Sequence, residues 1–198
     1  PWLIRELALS AQAGVHPGEW KFSVLGSLVE ASGSQIGQFE LDGHWMIQGP
    51  GEVNASLSYD KLKQLAPYIR KVLGTAPSAG SIDLETKITF NQKRGLVIAE
   101  NELTVTNIQF PSNESTKLGP DGNRLAELLS DDEGVLHLGF VVTGRSGEAL
   151  DWSDLAAGAL REAMRQALSR SIRRVLIQTE QGKPLEELIQ KGIESLGR

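Results

Sequence analysis

Three histidines are the first residues in this sequence to consider for metal binding or acid–base catalysis. His16, His44 and His137 lie far apart in the chain, and none has a second ligand at the spacing that a metal site requires. Imidazole groups are common on half-exposed sheets, so the pattern favours ordinary strand and turn residues. We therefore predict no metal site and no cofactor.

Two short segments have the composition of ligand-binding loops. The acidic run 131–134 contains calcium-type ligands, but it lacks the alternating spacing and the distal glutamate of an EF-hand. The small-residue segment 74–81 has no lysine after its second glycine and precedes a predicted strand, whereas a phosphate loop opens a helix. Both segments are predicted to be turns.

Catalytic motifs are missing from the sequence. There is no Gly-x-Ser-x-Gly elbow with a matching base, and there is no cysteine. A hydrolase is therefore the least favoured alternative, and we predict no catalytic residues and no enzyme activity. The absence of cysteine is compatible with an oxidising compartment. A net charge of −5 disfavours general binding to nucleic acids.

Alternation of apolar and polar residues predicts the elements of the first two-thirds of the chain. Four segments alternate with period two, at 20–28, 39–47, 53–59 and 82–90, and further strands are expected near 100–107 and 136–142. One-sided strands separated by glycine-rich turns are typical of an antiparallel meander. Fourteen apolar residues are predicted to share one face: Phe22, Val24, Phe39, Leu41, Trp45, Ile47, Leu57, Ile82, Leu84, Ile88, Phe90, Leu136, Leu138 and Phe140.

Helical spacing predicts a short inserted helix at 60–73. Asp60 is its expected N-cap, Pro67 is expected to split it, and Gly74 is placed to end it. Asn123 is the expected cap of a second short helix that ends at Leu129.

The last quarter of the chain changes to helical periodicity. Ser153 or Asp154 is expected to cap a long helix, and another helix is expected after Gly182 and Pro184. The prediction is a mainly β, α+β fold. It consists of a curved antiparallel meander sheet, a trough or half-barrel, over residues 1–152, with C-terminal amphipathic helices over 153–198 that pack on the sheet or extend from it.

The long helix carries a row of basic residues. It could lie on an anionic membrane or contact a partner. Packing of its alanine-rich stripe on the sheet is the favoured interpretation, with the arginines in solvent. The basic residues are Arg161, Arg165, Arg170, Arg173 and Arg174.

The order of features from Pro67 to Gly144 resembles a known family. Pro67-Tyr68 precedes Leu73-Gly74, then come a small-residue turn, an alternating strand from Gly80, and a second strand over 100–107. Leu128-Leu129, an acidic turn, the run 134–138 and Val142-Thr143-Gly144 follow. Together with the opening strand 3–10, this series is similar to the C-terminal part of AsmA-like proteins of the bacterial envelope, over about Leu3 to Ala167.

The resemblance implies a function as well as a fold. AsmA-like proteins are bridge-type lipid transporters, anchored in the inner membrane, whose twisted sheets form a trough with an apolar interior. The expected partners are phospholipid acyl chains and envelope proteins, in the periplasm, with membrane contact through parts of a longer chain. The absence of an initial methionine fits a fragment or a processed product. The segment 147–152 departs from the Asp-Pro that is usual after the last strand, and the more charged C-terminal helix puts membrane contact by the tail in doubt.

The alternating pattern itself leaves two structures open. An open apolar groove for lipid and a sheet covered by the C-terminal helices require the same one-sided strands. A periplasmic scaffold that binds protein through a sheet edge or the C-terminal helix is the alternative function.

Overall fold

The part of the chain that the structure describes forms one open sheet of seven antiparallel strands, arranged in sequence order. The computed structural model describes residues 2–47, 49–91, 95–111, 115–117, 120–145 and 152–178. The mainly β, antiparallel meander prediction is confirmed. The strands are β1 (Trp2–Ala13), β2 (Glu19–Glu30), β3 (Gln35–Met46), β4 (Pro50–Tyr59), β5 (Ala79–Asn91), β6 (Leu96–Gln109) and β7 (Leu136–Arg145).

A 3-10 turn and a short helix connect β4 to β5. The turn is Leu62–Leu65, and helix α1 is Ala66–Leu73. Pro67 lies in the first turn of α1, where a missing N–H costs nothing, so the predicted split is observed. Gly74 ends α1 in the left-handed conformation at φ 83°. The predicted cap at Asp60 is wrong, because the 3-10 turn follows Lys61 and neither segment has a side-chain cap.

Helix α2 (Gly122–Leu129) begins two residues earlier than predicted. Asp121 is its N-cap, and its side chain accepts a hydrogen bond of 3.0 Å from the Arg124 N–H. Asn123 is therefore not the cap. Its side-chain oxygen instead accepts a hydrogen bond from the Phe110 N–H at 2.9 Å, and its amide nitrogen donates to the Phe110 carbonyl at 3.1 Å. Asn123 thus ties α2 to the end of β6.

Helix α3 (Trp152–Gln178) is a single long helix. Ser153 and Asp154 lie inside its first turn, so neither precedes it as the predicted cap; the Asp154 carboxylate instead forms an ion pair with Lys71 of α1. Met164 and Leu168 are buried in the core. The helix predicted after Gly182 lies outside the described residues.

The outer side of α3 carries its charged residues. Arg165 pairs with Glu162 at 2.7 Å, and these hydrogen bonds lower the pKa of Glu162 to about 2. Arg161 donates to the Lys71 carbonyl at 3.4 Å. The predicted packing of α3 through its apolar stripe is therefore observed where the helix is described; the side chains of Arg173 and Arg174 lie outside that part.

The main core lies at one end of the sheet, between its apolar face and the three helices. Core residues of β5, β6 and β7 contact Val72 and Leu73 of α1, Leu125 and Leu129 of α2, and the stripe of α3. Burial of such side chains is the main stabilising contribution, at about 25 cal/mol per Å² of apolar surface. We call this end the covered half of the face.

Hydrogen bonds attach the 3-10 turn to the same end. The Tyr59 hydroxyl donates to Gln64 at 2.7 Å, and Gln64 donates to Glu30 at 2.8 Å. Lys61 also pairs with Glu30 at 2.6 Å, and its hydrogen bond is the main cause of the lowered pKa of Glu30. Burial raises the pKa of Tyr59. This network links β2, β4 and the turn after β4.

Candidate functional site

The register of the sheet brings the predicted apolar residues onto one face. Rows of partners run across the strands, as in the series Phe39, Leu57, Leu84, Leu103 and Leu138. Thirteen of the fourteen predicted residues lie in strands on this face, since each row joins residues of the same side. Ile47 follows the end of β3 and lies in a turn.

The helices cover only part of this face. Five of the fourteen residues belong to the core cluster beneath the helices: Phe39, Leu57, Ile82, Leu136 and Leu138. The other nine lie outside that cluster. We call the sheet positions among them, Phe22, Val24, Leu41, Trp45, Leu84, Ile88, Phe90 and Phe140, the open half of the face. The described helices and the 3-10 turn approach the sheet mainly at β5, β6 and β7.

Four residues outside the fourteen predicted positions complete the open half. Trp20 is the direct partner of Trp45, and Val53, Val97 and Val142 continue the rows on β4, β6 and β7. These three valines are buried even though they lie outside the core cluster. The alternation of apolar and polar residues in β4, β6 and β7 was the sequence signal that could have identified these valines.

Glycines on the apolar face lie directly opposite aromatic residues. Gly26 is the partner of Phe39, Gly43 of Phe22, Gly37 of Tyr59 and Gly51 of Phe90. A Cβ at Gly26 would lie 2.6 Å from the Phe39 ring, and one at Gly43 would lie 2.9 Å from the Phe22 ring. The aromatic rings therefore lie over the glycine backbones, so this part of the apolar face is flatter than it would be with a side chain at every position.

One polar pair interrupts the apolar rows. Thr86 donates to the Asn101 side chain at 2.9 Å, and Asn101 donates to the carbonyls of Ala99 and Phe140 at 3.0 and 3.3 Å. Thr86 was part of the predicted alternation, whereas Asn101 was not recognised because its role depends on the pairing of β5, β6 and β7. The side chains of the pair form their hydrogen bonds within the sheet, so they do not require a polar group from a bound ligand.

A hollow of about 780 Å³ is lined mainly by residues of the opposite, polar face, although Thr86, Asn101 and Phe140 of the apolar rows also contribute to its lining. Five of its fourteen lining residues are acidic: Glu40, Asp42, Glu85, Glu100 and Glu102. This hollow differs from the apolar trough that the family resemblance implies. A twisted sheet is saddle-shaped, so a hollow on one face follows from sheet coiling alone.

His137 and the acidic run 131–134, which were both considered for chemistry, lie together at the turn before β7 and the start of that strand. His137 lies 3.1 Å from Thr104 and 3.7 Å from Asp131 on an exposed surface. The Asp131 carboxylate accepts from the Glu133 and Val135 N–H groups, and Gly134 adopts φ 79°, so the acidic run is the predicted turn. Over the described ranges, no three His, Cys, Asp or Glu residues are grouped to hold a metal ion.

Residues 74–78 form a turn that leads into β5, so the last three residues of the segment 74–81 already belong to the strand; Thr75 and Ala76 are buried. Where the helices are described, none is both long and apolar enough to cross a membrane.

The chain matches no protein-family model, no curated protein and no solved structure.

Proposed function

We propose that this chain is a non-catalytic segment of an AsmA-like, periplasm-spanning protein. Its apolar sheet face would hold phospholipid acyl chains on their way between the inner and outer membranes. The full-length protein would be anchored in the inner membrane and contribute to outer-membrane biogenesis. The order of elements that resembles the AsmA-like family supports this assignment.

The observation that carries the proposal is the extent of the apolar face beyond the core. The helices pack on one end, while Phe22, Val24 and Leu41 lie outside the core cluster and are partly exposed. Holding an acyl chain there gains roughly 0.8 kcal/mol per buried methylene and requires no specific polar group. The flat surface formed by the glycine–aromatic pairs favours binding of an extended acyl chain along the face.

Lipid bound to the purified protein is the direct test. We expect phospholipid to co-purify with the chain and to be detected by mass spectrometry after extraction. Leu41→Lys should abolish this lipid, because a charge on the open half opposes burial of acyl chains. Glu40→Lys is the matched control, since Glu40 is the preceding residue of β3 and faces the polar side.

Both variants must remain folded for the comparison, which circular dichroism and a thermal melt will establish. Lipid retained by Leu41→Lys, or a wild-type protein that is folded and lipid-free, would contradict the proposal.

The exposed edge of β1 favours a second candidate function, a periplasmic scaffold. Leu3, Ile4, Leu7 and Leu9 are all more than half exposed, on a strand whose only sheet neighbour in the described chain is β2. An edge of this kind can bind an extended segment of a partner protein. A complex that survives Leu41→Lys but is lost in Leu9→Lys, by pulldown from envelope extracts, would favour the scaffold.

A further inference from the structure

The end of the sheet opposite the helices presents apolar residues in its turns. The turn between β1 and β2 contains Val15, and the turn after β3 contains Ile47. The Ile47 N–H donates to the Gly18 carbonyl at 3.0 Å, so the two turns lie side by side. We call Val15, Ile47, Trp20 and Trp45 the aromatic tip.

These four side chains are exposed to an unusual degree for their size. Val15 is 86% exposed, Ile47 59%, Trp20 50% and Trp45 40%. Grouped exposure of large apolar residues at one end of a molecule marks an interaction surface, whereas single exposed residues are ordinary.

The two tryptophans form the base of the tip. Trp20 and Trp45 are direct partners across β2 and β3. The Trp45 ring lies 5.6 Å from the Phe90 ring, reaching over β4 at Gly51, which has no side chain to separate them. Trp20, Trp45 and Phe90 thus occupy one row across the strands, at the end of the sheet next to the exposed turns.

Among the described residues, the charges around the tip are mixed in sign. Glu19 and Lys21 flank Trp20 in sequence, and the Glu19 side chain accepts from the His16 N–H at 3.2 Å. Lys87 and Glu52 form an ion pair of 3.0 Å on the neighbouring strands. Such a surface has no strong attraction for an anionic partner, so apolar contact must supply the affinity.

We infer that the aromatic tip inserts shallowly into the surface of a phospholipid bilayer. Val15 and Ile47 enter the boundary of the acyl chains, and the two tryptophans lie at the level of the headgroups. This arrangement fits the preference of indole rings for membrane–water interfaces, where one part of the ring is apolar and another is polar. The inference goes beyond the proposed function, since it does not require lipid to move along the sheet.

Vesicles of neutral phosphatidylcholine are the probe. In a Trp2→Phe, Trp152→Phe background, only Trp20 and Trp45 remain as fluorophores. We expect a blue shift with vesicles, and stronger quenching by lipids brominated near the headgroup than by lipids brominated near the chain end. Val15→Asp with Ile47→Asp should weaken vesicle binding by about tenfold for each side chain.

Leu25→Asp is the matched control, because Leu25 is also 50% exposed but lies on the opposite face of β2. Where the double variant fails to fold, Val15→Asp alone serves, since that side chain lies in an exposed turn. Binding of a soluble lysophospholipid, which tests the open half of the face, should persist in the tip variant and be lost in Leu41→Lys.

Three results would overturn the inference. One is equal vesicle binding by the wild type and the tip variant. Another is the absence of a blue shift and of quenching in the wild type. The third is self-association of the wild type through the tip, seen by sedimentation velocity as a dimer that Val15→Asp with Ile47→Asp abolishes while vesicles bind neither protein.

Discussion

Glycines determine the shape of the apolar face at the scale of single residues. Gly43 is paired with Phe22 on β2 and with Val53 on β4, and a Cβ there would meet the Phe22 ring and the backbone carbonyl of Glu52. The sequence shows these glycines only as members of an alternating strand, because the aromatic partner of each one is known only after the register is known.

Gly43→Ala should destabilise the protein by about 1–3 kcal/mol. The added Cβ would lie 2.6 Å from the Glu52 carbonyl oxygen, which belongs to the backbone and cannot rotate away, and 2.9 Å from the Phe22 ring. Urea denaturation followed by circular dichroism measures the change in the free energy of unfolding.

Gly139→Ala is the control for this substitution. Gly139 also lies within a strand, but its nearest neighbour would be the Asn101 carbonyl at 4.0 Å. We expect a stability equal to or slightly above that of the wild type, because alanine reduces the entropy of the unfolded chain. Equal losses at both positions would show that crowding is not the cause.

At the scale of secondary-structure elements, the sequence predicts whether a segment is a helix or a strand better than it predicts the first and last residues of that element. Alternation identified the strands because one-sided burial imposes period two over many residues. The start of α2 was misjudged because both Asp121 and Asn123 are good capping residues, and only the fold places the Phe110 backbone within reach of Asn123. The sequence also could not predict that the helices cover only part of the apolar face. Apolar and polar residues alternate in the same way in covered and in uncovered strands.

Leu168→Ala tests how strongly α3 is attached to the sheet. Leu168 is 4% exposed within the core cluster, so its truncation should cost about 2–5 kcal/mol through lost burial and a residual cavity. Arg170→Ala, at an exposed position two residues later, should change stability by less than about 0.5 kcal/mol. Thermal and urea unfolding of both variants measure the change in the free energy of unfolding. A loss of less than about 1 kcal/mol for Leu168→Ala would mean that α3 is packed only weakly against the sheet.

For the whole molecule, the two edges of the sheet differ. α3 packs against β7, whereas β1 pairs with β2 alone among the described strands. Pairing of β1 with β2 is regular up to Arg5 and resumes at Ala8, so Glu6 and Leu7 together oppose Gly26. Glu6 adopts φ 54°, a conformation that is unfavourable for a residue with a side chain. This bulge divides the exposed edge into two short segments, and bulges of this kind discourage edge-to-edge pairing.

Deletion of Glu6 should therefore promote self-association. The deletion would let Leu7 face Gly26 and make β1 a regular strand, with a continuous row of backbone N–H and C=O groups on its outer side. We expect sedimentation velocity to show dimers or larger species at concentrations where the wild type sediments more slowly. Adding Leu9→Lys to the deletion should reverse the change, because a lysine on an edge strand opposes pairing with another chain. A deletion variant that is folded and sediments like the wild type would mean that the bulge does not protect the edge, and that β1 is kept from pairing by its twist or its side chains.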